Sequence, residues 1–335
     1  MRIVAAKEGK VTILQADIPE LNKRHVQVRT EYSGISPGTE LSAIKKSGLS
    51  PVYLGYSAVG IVEQTGSEVR DILPGDRVAC YGVPYVRHAE VISVPTNLVT
   101  KVPHHVKPEE AAFTGLGAIA IHALRIADVR FGDKVLVVGL GILGNLVAQI
   151  ASAAACQTAA YDLSEERVQL LQGQMGIGPG FSSEEEVERF VLDETGGAGF
   201  DSILLCAGGP GKALINKSLE WLRDLGKIVI VGDLSMEFSR DLMFCKEAQI
   251  LISRAGGPGR YDRWYEQDNL DYPIGFVRWT EGRNMDEYVR LLAEKRITVS
   301  PAITHRFALE EASAAYGIYQ SGPSQGALAT LIKYF

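Results

Sequence analysis

Lys134–Gly144 reads Lys-Val-Leu-Val-Val-Gly-Leu-Gly-Ile-Leu-Gly, and the breaker-poor run Asn145–Ala155 follows at once. A short apolar run, three spaced glycines and a helical run predict a strand that turns sharply into a helix. Gly139 permits the tight turn. Gly141 has no side chain, so a pyrophosphate can approach the backbone. Gly144 lets helix and strand pack closely. Ile142 and Leu143 lie between them at the helix start, where free N–H groups and the positive dipole end favour phosphate. A second short strand, Thr158–Tyr161, ends at Asp162, and the amphipathic run Ser164–Met175 follows. A carboxylate at Asp162 accepts hydrogen bonds from ribose hydroxyls and repels a 2′-phosphate, so the expected cofactor is NAD, with NADP less favoured. Arg167 complicates that charge. It can stack on the adenine or stay solvated. Two further apolar runs, Asp201–Cys206 and Lys227–Val231, are separated by helical residues, which predicts a doubly wound parallel sheet. Cys206 and Gly232 close these runs, at the carboxyl edge where ligands sit in such sheets.

Outward from this centre the texture changes. Residues 1–110 carry short strand-like runs (Val26–Tyr32, Ala58–Gln64, Arg77–Cys80, Ala89–Val94) broken by turn residues, and predict a β-rich domain. The stretch Met1–Gln15 reads as a first strand, with no apolar core of a leader peptide. After about residue 270 the strand–helix alternation stops. Met285–Arg296 and Leu309–Tyr319 read as helices, and Ala327–Tyr334 as a closing strand. The chain has 335 residues, 46% of them hydrophobic, and a net charge of -6. This acidic balance argues against a nucleic-acid partner. No apolar run reaches membrane-spanning length, so no membrane partner and a cytoplasmic location are expected. The four cysteines are scattered with no paired spacing, and read as reduced thiols.

Several strings resemble the medium-chain dehydrogenase/reductase superfamily: the glycine turn, Pro74–Val78 (PGDRV), Gly132–Val135 (GDKV) and Phe307–Ala312 (FALEEA). Ser33–Glu40, Leu54–Gly60, Gly257–Asp262 and Tyr272–Glu281 are similar to a zinc-less branch, in which the dehydrogenase is often fused to a second, sugar-type oxidoreductase domain. The Gly34-Ile-Ser-Pro-Gly-Thr-Glu40 string also resembles bacteriochlorophyllide dehydrogenases. The resemblance implies an α/β fold: a Rossmann doubly wound sheet at 119–269, and a β-rich GroES-like catalytic domain from 1–118 and 270–335. It further implies a homo-oligomer, dimer or tetramer, acting on a small-molecule substrate.

In zinc members of the superfamily a cysteine stands where this chain has Ser36, and a Gly-His-Glu string stands where it reads Gly55-Tyr56-Ser57. Hydroxyls are poor zinc ligands beside thiolate or imidazole, and no four-cysteine lobe is present, so no metal is expected. Hydride chemistry without zinc needs a side chain to manage the hydroxyl proton. Tyr56, at a zinc-ligand position, is the first candidate, if its pKa is lowered; otherwise it is a packing tyrosine. Thr39 matches the family's hydroxyl relay, although Pro37-Gly38 adds a residue. Glu40 is either a base or a buried ion-pair partner, the second being favoured. Arg278, Trp279 and Glu281 are candidates for a pocket wall, and Arg254 and Arg260 flank a Gly-Gly-Pro-Gly run. The expected function is zinc-independent, NAD-dependent hydride transfer on a secondary alcohol or ketone of sugar or cyclitol type. The alternatives are an NADPH-dependent C=C (quinone or enoyl) reductase and a non-catalytic cofactor-binding regulator.

Overall fold

The computed structural model describes residues 1–320 and 326–335. They form two compact units: Met1–Ala118 with Ala255–Phe335, and Ile119–Arg254.

In the second unit six parallel strands lie in the order Gly180–Phe181, Gln157–Tyr161, Lys134–Val138, Phe200–Leu205, Leu222–Ile230, Gln249–Ile252. The order reverses beside Lys134–Val138, the strand that feeds the glycine turn. Strands buried on both faces need continuous apolar runs, which is why KVLVV, and not an alternating sequence, stands at the centre. Leu136, Phe200, Ile203, Ile228 and Trp221 build the core on one face.

The first unit holds a seven-stranded sheet centred on His25–Gly34, which pairs with Ser57–Thr65, Val91–Pro95 and Ala329–Lys333. Met1–Gln15 is not one strand. Arg2–Lys7 and Lys10–Gln15 pair antiparallel, with Lys7 opposite Lys10. Glu8 and Gly9 make the two-residue turn with positive φ (49° and 75°), which fits the twist of a hairpin. The helix expected from Met285 begins at Glu281, because the Thr280 side chain caps it by accepting from Arg283 N.

The expected boundary at residue 270 is corrected to 255. The last strand of the parallel sheet ends at Ile252, and residues 255–269 pack with the β-rich unit. Tyr265 is the anchor: it is 2% exposed within the core of Val26, Val28, Ile92 and Leu98, and its carbonyl accepts from Asn97 Nδ2 at 3.0 Å. No described helix is long and apolar enough to cross a membrane.

Gly117 shows how tightly this unit is packed. A Cβ there would lie 2.0 Å from the ring of Tyr288. That ring is buried and held by its hydroxyl, which donates to Glu110 O at 3.0 Å. Gly117→Ala is therefore expected to cost about 1–3 kcal/mol of stability, despite alanine's better helix propensity. A drop in the urea midpoint checks this; an unchanged or higher midpoint would show that the ring yields freely.

Candidate active site

In the parallel-sheet unit the glycine turn is sterically closed to other residues. Gly139 has φ +88°, and a Cβ on it would meet Ala207 N at 2.9 Å; a Cβ on Gly144 would lie 1.7 Å from Gly139 O. Gly141 is the N-cap of the helix Ile142–Ala153, with no side-chain cap and nothing within 4 Å of its would-be Cβ. The uncapped turn at Gly141, Ile142 and Leu143 thus leaves open backbone for an anion. The Asp162 carboxylate is buried, and both its oxygens are engaged: Oδ2 accepts from Leu140 N at 2.6 Å and Oδ1 from Ser164 N at 2.8 Å. Asp162 therefore holds the glycine turn, and each oxygen keeps acceptor capacity. Arg167 sits with Nη1 3.4 Å from Asp162 Oδ2, an ion pair rather than a solvated side chain.

Cys206 and Gly232 join the same edge. Cys206 N donates to Val138 O at 2.8 Å, and a Cβ on Gly232 would lie 1.9 Å from Ala207 O. Burial pushes the Cys206 thiol up to about 12, so it is a neutral wall and not a nucleophile. Close-fitting glycines, an uncapped helix start and a carboxylate at the second strand's end suit a nicotinamide dinucleotide.

In the β-rich unit the helix Pro37–Lys46 starts at Ser36, and Glu40 Oε1 accepts from Ser36 N at 2.9 Å. The Tyr56 hydroxyl donates to Ser36 Oγ at 2.6 Å, and the Thr39 side chain is its second hydrogen-bond partner. The first helical turn brings Thr39 to the phenol despite the additional residue. Tyr56 keeps some exposed surface, and its ring meets Tyr81 edge-on at 5.9 Å. Burial of the hydroxyl, helped by the charge of Glu40, holds this phenol above its ordinary value. The lowered value considered from the sequence is thus reversed: no cation stands among the groups that shift it, and Tyr56 stays protonated.

Glu40 is 3% exposed, and its Oε2 accepts from His88 Nε2 at 2.9 Å and from the Tyr316 hydroxyl. His88 Nδ1 lies 2.6 Å from Ser33 Oγ, which lies 2.8 Å from the Tyr334 hydroxyl. Ser33, His88 and Glu40 form a line of the kind seen in hydrolytic triads, but Ser33 and His88 have no exposed surface, so no substrate reaches them. The network reaches Ser36 through Glu40, whose Oε1 accepts from Ser36 N. His88, Tyr316 and Tyr334 carried no site signal in the sequence, and Ser33 entered only as the first residue of the Ser33–Glu40 string.

Zinc does not suit this donor set. Ser57 Oγ donates to Ala112 O at 2.7 Å and accepts from Gly115 N at 2.9 Å, both ring nitrogens of His88 are engaged, and Ser36 and Tyr56 offer only hydroxyls. Of the remaining candidates, Arg278 lies over the ring of Trp279 at 3.9 Å. Arg254 is exposed on the other unit. Arg260 is buried and paired with Glu266. Glu281 has no exposed surface at all, so it lines no wall open to solvent.

Residues 22–104 match the alcohol dehydrogenase GroES-like domain family, and residues 143–268 match the zinc-binding dehydrogenase family. Human sorbitol dehydrogenase is 27% identical, with 96% of this chain and 93% of that one covered. Galactitol 1-phosphate 5-dehydrogenase of Escherichia coli K12 is 25% identical over 92% and 93%. Two solved structures share the fold: galactitol-1-phosphate dehydrogenase from Escherichia coli (TM-score 0.81, 22% identity, 99% and 100% covered) and alcohol dehydrogenase TADH from Thermus sp. ATN1 (TM-score 0.80, 24% identity, 100% of both). With both units matched in chain order, and with a glycine turn shaped for a dinucleotide, the chain belongs to the medium-chain dehydrogenase/reductase superfamily and is an oxidoreductase.

Proposed function

We propose that the protein is a metal-independent, NAD-dependent dehydrogenase that interconverts a secondary alcohol and a ketone on a polyhydroxylated small molecule. The observation that carries this reading is the hydroxyl cluster Tyr56–Ser36–Thr39, in which Ser36 and Tyr56 match zinc-ligand positions of the superfamily and Thr39 its hydroxyl relay, with the phenol kept protonated. The polyhydroxylated substrate rests on relatives named for sorbitol, D-xylulose and galactitol 1-phosphate.

The nicotinamide, when bound, supplies or takes up the hydride. The backbone at Gly141–Leu143 and the helix start would hold the pyrophosphate, and Asp162 would take the adenosine ribose hydroxyls. In the reducing direction the protonated Tyr56 turns its one O–H from Ser36 Oγ to the carbonyl oxygen and gives it the proton as negative charge develops there. Ser36 and Thr39 then relay a proton from solvent water to the phenolate, each hydroxyl taking one proton as it gives one. Glu40 keeps Ser36 in place and itself transfers nothing.

The test is a titration of chelator-treated protein with NADH and NADPH, followed by assays on polyols, ketoses and enones with and without chelator. Tighter NADH binding and chelator-insensitive polyol oxidation are expected. Stoichiometric zinc with chelator-sensitive turnover would overturn the metal-independent reading. NADPH preference with enone reduction would move the assignment to C=C reduction.

A further inference from the structure

Glu281 opens the helix Glu281–Ala293 and has no exposed surface, yet no fixed N–H or O–H donor reaches either of its carboxylate oxygens. Of the charged groups around it, the one that acts on it most strongly is another carboxyl group, that of Glu266. Two carboxylates have no proton to share; a carboxyl–carboxyl contact forms only when one of them is an acid. The nearby cation does not relieve the need. Arg260 already bonds Glu266 Oε1 and gives a second bond to Val83 O at 2.9 Å, and Tyr261 N donates to the same Glu266 oxygen at 3.1 Å. Glu266 thus has donors of its own, and Glu281 is left without one.

Glu281 and the aromatic pair of the candidate active site meet at Gly256. A Cβ built on Gly256 would lie 2.8 Å from Tyr81 Cε1 and 3.1 Å from Glu281 Cβ, so Tyr81 and Glu281 grip one residue between them. The Tyr81 hydroxyl accepts from Gly256 N at 3.1 Å, Glu281 N donates to Pro258 O at 2.8 Å, and Asn284 Nδ2 donates to Gly256 O at 2.8 Å. Tyr81 in turn meets Tyr56 edge-on.

We propose that Glu266 and Glu281 hold one proton between them, and that this proton makes Glu281 a positioning residue for the Tyr81–Tyr56 pair. The positioning part rests on the reading of Tyr56 as proton donor; the shared proton does not. The groups facing Glu281 are Tyr81 from the strand Arg77–Tyr81, and Arg260, Tyr265, Glu266 and Tyr272 from the segment ahead of the helix. Only one of these is a cation. Burial first, and then the charge of Glu266, push Glu281 up to about 9. Loss of the proton sets two buried negative charges side by side and forces the Gly256–Arg260 turn away from Tyr81.

Infrared spectroscopy of the full chain tests the proton directly. The expected result is a protonated-carboxyl band at pH 7 that fades as pH passes about 9 and is missing from Glu281→Gln. Absence of any such band in the wild type, or its full persistence in the variant, overturns the proposal. Glu281→Gln keeps a neutral donor toward Glu266, so it should retain ketone reduction with unchanged nucleotide binding and lose the alkaline fall in kcat expected of the wild type. Glu281→Met removes the donor and should lower kcat several-fold with little change in KM. An alkaline limb identical in wild type and Glu281→Gln overturns the positioning role. Should neither variant fold, the wild-type spectra against pH still decide the shared proton. If the band behaves as expected but Tyr56→Phe keeps full activity, the proton pair stands and the assignment of Tyr56 falls.

Discussion

Replacing Tyr56 by phenylalanine is expected to lower kcat for ketone reduction by about 10²–10⁴-fold, the usual worth of a positioned proton donor, while NADH affinity stays as it was. The change deletes one oxygen and keeps the ring against Tyr81. It removes the donor of the 2.6 Å bond to Ser36 Oγ, so that hydroxyl loses one partner and about 0.5–1.5 kcal/mol of stability goes with it. The protein should still fold, because the core of the unit lies elsewhere, among residues such as Val28, Val78 and Leu98. The pH dependence has a definite sign. Since burial and Glu40 hold the phenol above its ordinary value, Tyr56 keeps its proton through the neutral range and imposes no fall on reduction there. Alcohol oxidation needs the phenol to accept a proton, and should speed up as pH rises. Steady-state kinetics in both directions, with a nucleotide titration alongside, separate these effects. Turnover within threefold of the wild type would remove Tyr56 from the chemistry and leave it a packing tyrosine.

The parts of the site that could be read from sequence are those whose physics is local. Gly139, Gly141 and Gly144 act within one strand–turn–helix, where a clash such as the 1.7 Å approach to Gly139 O follows from the backbone path alone. Asp162 closes the neighbouring strand, so its place follows from the same unit. The β-hairpin at the N-terminus escaped notice because its turn is Glu-Gly, with the first residue at φ 49°, where Asn-Gly or Asp-Gly would have signalled two strands. The unit boundary escaped because residues 255–269 have no periodic pattern, and what assigns them is long-range contact: Tyr265 in the core, Gly256 N on Tyr81 and Arg260 on Val83 O. Glu40 could be read as a paired buried acid, but its partners could not. His88 is 48 positions away and Tyr316 is 276 away, and no spacing rule reaches so far. Glu281 is the converse case. Its string drew attention to it as a wall residue, whereas its burial without a donor is a property of packing alone.

Asp162 carries the second large effect. Asp162→Asn is expected to weaken NADH binding by about 10- to 100-fold, because hydrogen bonds to a charged acceptor are worth about 1.5–3 kcal/mol. NADPH should gain relative to NADH, since the carboxylate that repels a 2′-phosphate is gone and Arg167, at 3.4 Å from Asp162 Oδ2, is released to meet one. The substitution also disturbs the turn. Asp162 accepts from both Leu140 N and Ser164 N, whereas an asparagine oxygen serves one of them and its amide nitrogen faces the other. Some affinity will therefore be lost through the glycine turn and not through the ribose. Asp162→Ala frees both N–H groups, and should cost more stability than the asparagine with a similar loss of the ribose contact. Comparing the two variants by urea midpoint and by NADH and NADPH titration distinguishes the roles. If affinity falls in step with stability and the NADH-to-NADPH ratio does not move, Asp162 serves the turn alone. If the ratio inverts in both variants whatever their stability, the carboxylate itself selects the cofactor.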